Sequence, residues 1–155
     1  MKKELEYLVI HCTATPENRE VKASEIRAWH TAAPPKGRGW KQVGYTDLIH
    51  LDGKVERLVS NNEDGWVDTN EITNGAAGYN SVSRHVVYAG GLASDGKTAK
   101  DTRTVAQKAS LKKYVLDFRA KNPKAKIVGH RDLPNVNKAC PSFDVSSWLT
   151  LIGIK

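Results

Sequence analysis

Residues 5–12 read L-E-Y-L-V-I-H-C, and this run restricts the fold more tightly than any total of composition. Leu, Tyr, Val and Ile follow one another with little polar alternation, the pattern of a strand covered over most of its surface. Such a strand needs other elements packed over it, so the chain is expected to build a layered α/β domain around it. The run closes at His11 and opens into the turn-forming residues T-A-T-P-E-N. In α/β domains ligands gather where central strands give way to loops. His11 stands at such a point, either as a ligand or as a hydrogen-bonded core histidine.

The rest of the chain supplies the layers. Ser24 or a neighbour is placed to cap a short helix, S-E-I-R-A-W-H-T, with Ile26 and Trp29 expected in the core and His30 on the same side. Residues 34–42, P-P-K-G-R-G-W-K-Q, form a basic loop that is either a solvated connector or a grip for a sugar face or a polyanion. Alternating strands at 44–50 and 54–59 flank Asp52-Gly53, a strong hairpin signal. Tyr45 follows Gly44 at the start of the first of these, which lets its phenol project at the sheet edge; His50 reads as structural. The polar stretch 61–81 is a long connection with a short helix near Asp68–Thr73, and 84–89 is a further buried strand. Helical spacing runs from Thr104 to Lys121 through Val105, Leu111, Val115, Leu116 and Phe118, and stops at Asn122-Pro123. A strand at 126–129 and a last short helix, S-S-W-L-T-L-I, complete the chain. The expected architecture is a single α/β domain over residues 1–155, with a central mixed sheet of about five strands flanked by helices.

Chemistry concentrates between Lys126 and Val145. The run K-I-V-G-H-R-D ends a strand and delivers His130 and Asp132; a Pro/Asn loop then brings in Lys138, Cys140 and Asp144. Imidazole and thiolate bind zinc readily, but ten positions of separation exceed the spacing of a finger-type chelate. That spacing suits ligands on neighbouring elements, with a third arriving from elsewhere. A hydrogen-bonded histidine and a buried cysteine are the plainer alternative. With no export signal legible at the N-terminus, a Cys12–Cys140 disulfide is the less expected use of the two cysteines. The excess of Lys and Arg over Asp and Glu gives a formal charge of +7, which favours a polyanionic partner without choosing among nucleic acid, an anionic membrane face and a cell-wall polymer.

Several motifs, in order along nearly the whole chain, carry a resemblance. V-I-H-C-T-A-T, V-G-Y, G-Y-N-S-V-S, D-T-R-T-V-A-Q-K, I-V-G-H-R-D and K-A-C-P-S-F-D resemble the zinc-dependent N-acetylmuramoyl-L-alanine amidases, a group that includes phage endolysins and shares its fold with peptidoglycan recognition proteins. The resemblance implies a Zn2+ cofactor held by His11, His130 and Cys140, with Tyr45 and Lys138 as catalytic partners. Two imidazoles and one thiolate would leave a fourth position open, as a catalytic site requires. Asp132 and Asp144 fit hydrogen-bonding roles around the site better than ligation. Three positions depart from the family pattern: Gly75 where relatives often carry His, His85 where they carry Gly, and Thr46 where His or Asn is commoner. Neither Gly75 nor His85 stands at a ligand position of the family, so the departures bear on substrate fit and rate.

The function so implied is cleavage of the amide between N-acetylmuramic acid and L-alanine in peptidoglycan. Small size, positive charge and the absence of a legible signal peptide suit a phage-type endolysin, cytoplasmic until released to the wall and acting as a monomer. A catalytically weak peptidoglycan-binding module is the alternative, and retention of Tyr45, Lys138 and Cys140 argues against it. Nucleic acid is not an expected partner, because basic residues are spread along the chain and no RNA-binding signature is present. No stretch has the length of a membrane span.

Overall fold

The computed structural model describes residues 2–154. In chain order the elements are β1 (Lys2–Glu4), β2 (Tyr7–Cys12), β3 (Thr15–Pro16), α1 (Ala23–Thr31), β4 (Asp47–Ile49), β5 (Val55–Arg57), β6 (Trp66–Asp68), β7 (Ser83–Tyr88), β8 (Gly91–Leu92), α2 (Val105–Lys121), β9 (Lys126–Gly129) and α3 (Val145–Leu151). Five strands form the central sheet in the order β5-β4-β7-β2-β9. All its pairings are parallel except the β4–β5 hairpin, so the sheet is mixed as expected. Two small two-stranded sheets, β1–β6 and β3–β8, lie outside the sequence reading.

The sheet is covered on both faces, as the apolar run at 7–12 requires. Leu8, Ile10, Val86 and Tyr88 join Leu111, Val115 and Phe118 of α2 and Trp148 and Leu149 of α3 in one core. On the other face Val87, Ala89 and Leu48 pack with Val21 and with Ile26 of α1, while Val9 meets Ala76 and Leu133 from two loops. Each such aliphatic side chain withdrawn from water contributes roughly 1.5–3 kcal/mol before chain entropy is counted.

Several local expectations are corrected. The hairpin strands are shorter than 44–50 and 54–59. The Gly44 amide is diverted to Nδ1 of His30, and the amides of Leu58 and Val59 converge on the Thr46 carbonyl, which ends the ladder. The cap of α1 falls two residues before Ser24, on Lys22, and the Lys22 amide donates to the Glu25 carboxylate at 3.1 Å. Trp29 is exposed rather than in the core, because Ile26 and His30, four residues apart, define the buried face and Trp29 flanks it. Val105 is 87 % exposed and Leu116 40 %; the buried stripe of α2 starts instead at Gln107, whose amide reaches the Ala89 carbonyl at 2.9 Å. Thr104 caps α2 reciprocally with Gln107, each side chain accepting from the other's amide. The turn near 68–73 is a single 3-10 turn, Thr69–Glu71.

Candidate active site

Register on the sheet sets the first residue. His11 pairs with Val87 of β7 one step before β2 ends, and its ring lies 1 % exposed on the α1 face. His130 enters from the adjoining strand. β9 runs parallel to β2 and ends at Gly129, and a 3-10 turn then carries His130 back beside His11, with ring centroids 4.6 Å apart. Asp132 makes that turn by accepting the Gly129 amide at 2.8 Å, the loop-ordering role expected of it. Gly129 has to be glycine, since a β-carbon there would meet Pro141 at 2.9 Å and Val145 at 3.0 Å.

The loop after His130 returns Cys140 to the end of β2. Arg131 donates its amide to the Cys140 carbonyl at 2.9 Å, and Tyr88 Oη donates to the Pro141 carbonyl at 2.6 Å. Asp144 caps α3 directly beyond, accepting from the Ser147 amide and hydroxyl. Cys140 Sγ then lies 3.8 Å from His11 Nδ1 and accepts the Cys12 amide at 3.2 Å. His11, His130 and Cys140 therefore converge, with one donor atom from each within 4.8 Å of the others, and they are the one such trio among the described residues.

The chemistry of the three donors fits a zinc ion. Burial, reinforced by the neighbouring imidazoles and the Lys138 cation, holds His11 well below the usual imidazole range. Burial, then Lys138, also lowers His130. Both rings are thus neutral at pH 7, the state that offers a lone pair. The contact with Cys140 brings the Cys12 thiol down to about 7 against its burial, while the same contact, then burial, pushes the Cys140 thiol well up. Neither cysteine is in a disulfide.

These residues floor an open groove of about 1190 Å3. Tyr45 and Lys138 both line it. The Tyr45 ring lies 5.1 Å from those of His11 and His30, and burial, then the nearby thiols, raise its phenol so that it stays protonated and able to donate. Lys138 is exposed on the loop before Cys140. The basic loop at 34–42 takes part too: Trp40 is half-buried against His30 with Arg38 stacked over it at 5.1 Å, and both line the groove with Trp29 and Tyr79. His50 sits away from the groove between Glu20 and Glu56, at 2.9 and 2.8 Å, which confirms a structural role.

The sequence reading gave His30 no role at the site and marked His85 only as a departure from the family pattern. His30 accepts the Gly44 amide at 2.9 Å and thereby sets the segment that carries Tyr45; burial, then Arg38, lowers it to about 4, so it remains an acceptor. His85 touches His11 directly, Nδ1 to Nε2 at 2.8 Å. It follows Ser83 and Arg84 at the head of the apolar run V-V-Y-A, and its departure from the family pattern was the one signal that marked it. The three departures noted in the sequence form one cluster. A β-carbon on Gly75 would sit 2.6 Å from His85 Nδ1, and Thr46 Oγ1 accepts the His85 amide at 3.2 Å.

The chain is similar to known proteins along most of its length. The endolysin of Enterobacteria phage K11 is 34 % identical over 148 residues, 96 % of this chain and 87 % of that protein. The endolysin of Escherichia phage T7 is 35 % identical over 141 residues, 91 % and 83 % respectively. Among solved structures, the Ph2119 endolysin from a Thermus scotoductus bacteriophage superposes with a TM-score of 0.71 at 27 % identity, covering 99 % of this chain and 87 % of that one. The fold is also that of the amidase LysC from Clostridium intestinale, with a TM-score of 0.72 at 20 % identity over 98 % and 87 % of the two chains. Residues 1–143 match the family described as N-acetylmuramoyl-L-alanine amidase, and the chain belongs to that family.

Proposed function

We propose that this chain is a zinc-dependent, endolysin-type amidase that hydrolyses the amide between N-acetylmuramic acid and L-alanine in peptidoglycan. The observation that carries the reading is the convergence of His11, His130 and Cys140 on the floor of a groove that Tyr45 and Lys138 also line. In this reading the three residues hold the ion, and zinc supplies Lewis acidity and an activated water.

The chain's own groups carry the remaining steps. Attack on the amide carbon places negative charge on the carbonyl oxygen. Lys138, a cation on a flexible stem at the groove wall, donates to that oxygen as the charge develops. Tyr45, kept as a phenol by burial, orients the attacking water and passes a proton toward the departing L-alanine nitrogen. The groove exceeds the size of an ordinary small-molecule pocket, about 300–1,000 Å3, and suits a segment of polymer. Aromatic faces at Trp29, Trp40 and Tyr79 suit sugar rings, and Arg38 suits a stem-peptide carboxylate. Among the described residues no helix is long and apolar enough to cross a membrane.

The test is mass spectrometry of the soluble products released from purified peptidoglycan, with and without a zinc chelator. Stem peptides bearing a free L-alanine amine, released only without chelator, are the expected products. Peptidoglycan that is bound but uncut would replace the hydrolase with a recognition module.

A further inference from the structure

We infer that His85 is a positioning residue that fixes the tautomer and orientation of His11; this rests on the assignment of His11 as a zinc ligand. His85 and His11 sit on adjacent parallel strands. The register pairs Val9 with His85 and His11 with Val87, so the two histidines leave the same face of the sheet, offset by two residues along it. Their rings meet as Nε2 of His11 and Nδ1 of His85, 2.8 Å apart, with 1 % and 0 % of the residues exposed.

The direction of that hydrogen bond follows from the other side of His11. Its Nδ1 faces Cys140 Sγ at 3.8 Å and is the nitrogen turned toward the convergent donors. To ligate, Nδ1 must carry the lone pair, so the ring proton lies on Nε2. That N–H then donates to Nδ1 of His85, whose own proton is on its Nε2. The accepting nitrogen selects the tautomer of His11 that can ligate and stops the ring from rotating.

His85 is itself held. Thr46 Oγ1 accepts its amide at 3.2 Å, and the Thr46 amide donates to its carbonyl at 2.8 Å. Gly75 leaves the space its imidazole fills. The remaining nitrogen, Nε2, is buried and finds no partner among the described residues. An aliphatic residue would fill this space without leaving a polar atom unpaired, so filling space does not account for an imidazole here. Its Nδ1 does.

The test separates acceptor from volume. His85→Leu keeps most of the volume and removes the acceptor; His85→Asn loses volume but keeps an oxygen where Nδ1 stood. Zinc affinity is read by competition with a chromophoric chelator, and the site's symmetry by the visible spectrum of the cobalt-substituted protein, after circular dichroism has shown the metal-free variants folded. The expected result is a roughly 10- to 100-fold weaker zinc affinity and shifted cobalt bands in the Leu variant, with most of both restored in the Asn variant. Should the Leu variant not fold, His85→Ala replaces it in the same comparison. Wild-type affinity and spectrum without the acceptor would overturn the inference, as would an Asn variant no better than the one lacking an acceptor. An unmodified chain that binds no zinc would instead remove the ligand assignment, and the inference with it.

Discussion

The amide of Cys12 donates to Cys140 Sγ at 3.2 Å, joining positions 128 residues apart in sequence. That bond ties the end of the central strand β2 to the loop beyond β9, so His11 and Cys140 are set opposite each other by backbone as well as by side chains. The N–H aimed at the sulfur partly offsets the Cys12 contact and the burial that push the Cys140 thiol up in the metal-free chain. Cys140→Ala is expected to lower bound zinc from about one ion per chain to nearly none and to abolish hydrolysis. The fold should remain, since Cys140 is only half-buried and lies outside the sheet. Elemental analysis alongside circular dichroism of the metal-free protein checks both halves. Stoichiometric zinc with full activity in the variant would end the thiolate's role as a ligand.

Lys138 offers a cleaner separation of chemistry from structure. It is exposed, lines the groove and belongs to no helix or strand, so its removal leaves packing untouched. Lys138→Ala is expected to retain zinc and thermal stability while kcat falls on the order of a hundredfold, the usual loss when one oxyanion donor is removed. Lys138→Arg should recover part of it. Unchanged turnover on muropeptide substrate would take Lys138 out of the mechanism.

Much of this arrangement was legible in the chain because the signals were local. The apolar run ending at His11, the Asp52-Gly53 turn, the helix from Thr104 to Lys121 and the strand at 126–129 each follow from neighbouring residues, and each is found where it was expected within a residue or two. What could not be read is what depends on pairs distant in sequence. His85 and Gly75 stand as two separate departures in the sequence, and only the fold shows that one makes room for the other. Trp29 has the spacing of a core residue, but the buried face of α1 is set by Ile26 and His30, and the indole is left at the groove. Gln107 looks like a surface residue of α2, yet the open carbonyl of Ala89 draws it fully inside.

Acid should loosen the metal-free protein in a window that carboxylates do not share. Burial holds His11 and His130 below their ordinary range, His30 at about 4 and His85 at about 3. For a histidine with a depressed folded pKa, the unfolded chain binds the extra proton. Stability therefore falls as pH drops through the unfolded value near 6.5 and continues to fall toward the folded one. His50 has the opposite sign. Burial lowers it, but Glu20 and Glu56 outweigh that and raise it, so its contribution is complete below about 6.5 and is lost at higher pH. Four groups against one predict a lower urea midpoint at pH 5 than at pH 7 with chelator present, and proton uptake on unfolding. Equal midpoints at the two values would show that the buried imidazoles are not neutral in the folded state.

Position 75 should not accept even a methyl group. A β-carbon there would lie 2.6 Å from His85 Nδ1 and 2.7 Å from the Gly44 carbonyl oxygen, both below any distance such contacts tolerate. The first contact can be relieved by turning the imidazole away from His11. The second requires the backbone before Tyr45 to move. Gly75→Ala is therefore expected to be overpacked by about 1–3 kcal/mol, lowering the melting temperature by roughly 2–12 °C for a chain of this size. Adding His85→Gly to that variant removes the imidazole contact and leaves the carbonyl one, so it should restore only part of the stability lost at position 75. Calorimetry of the metal-free proteins, with His85→Gly alone as the reference for the double variant, measures each contribution. A Gly75→Ala chain as stable as its parent would show that His85 and the 44–45 segment have room to yield, and that glycine at this position is not needed to seat the imidazole.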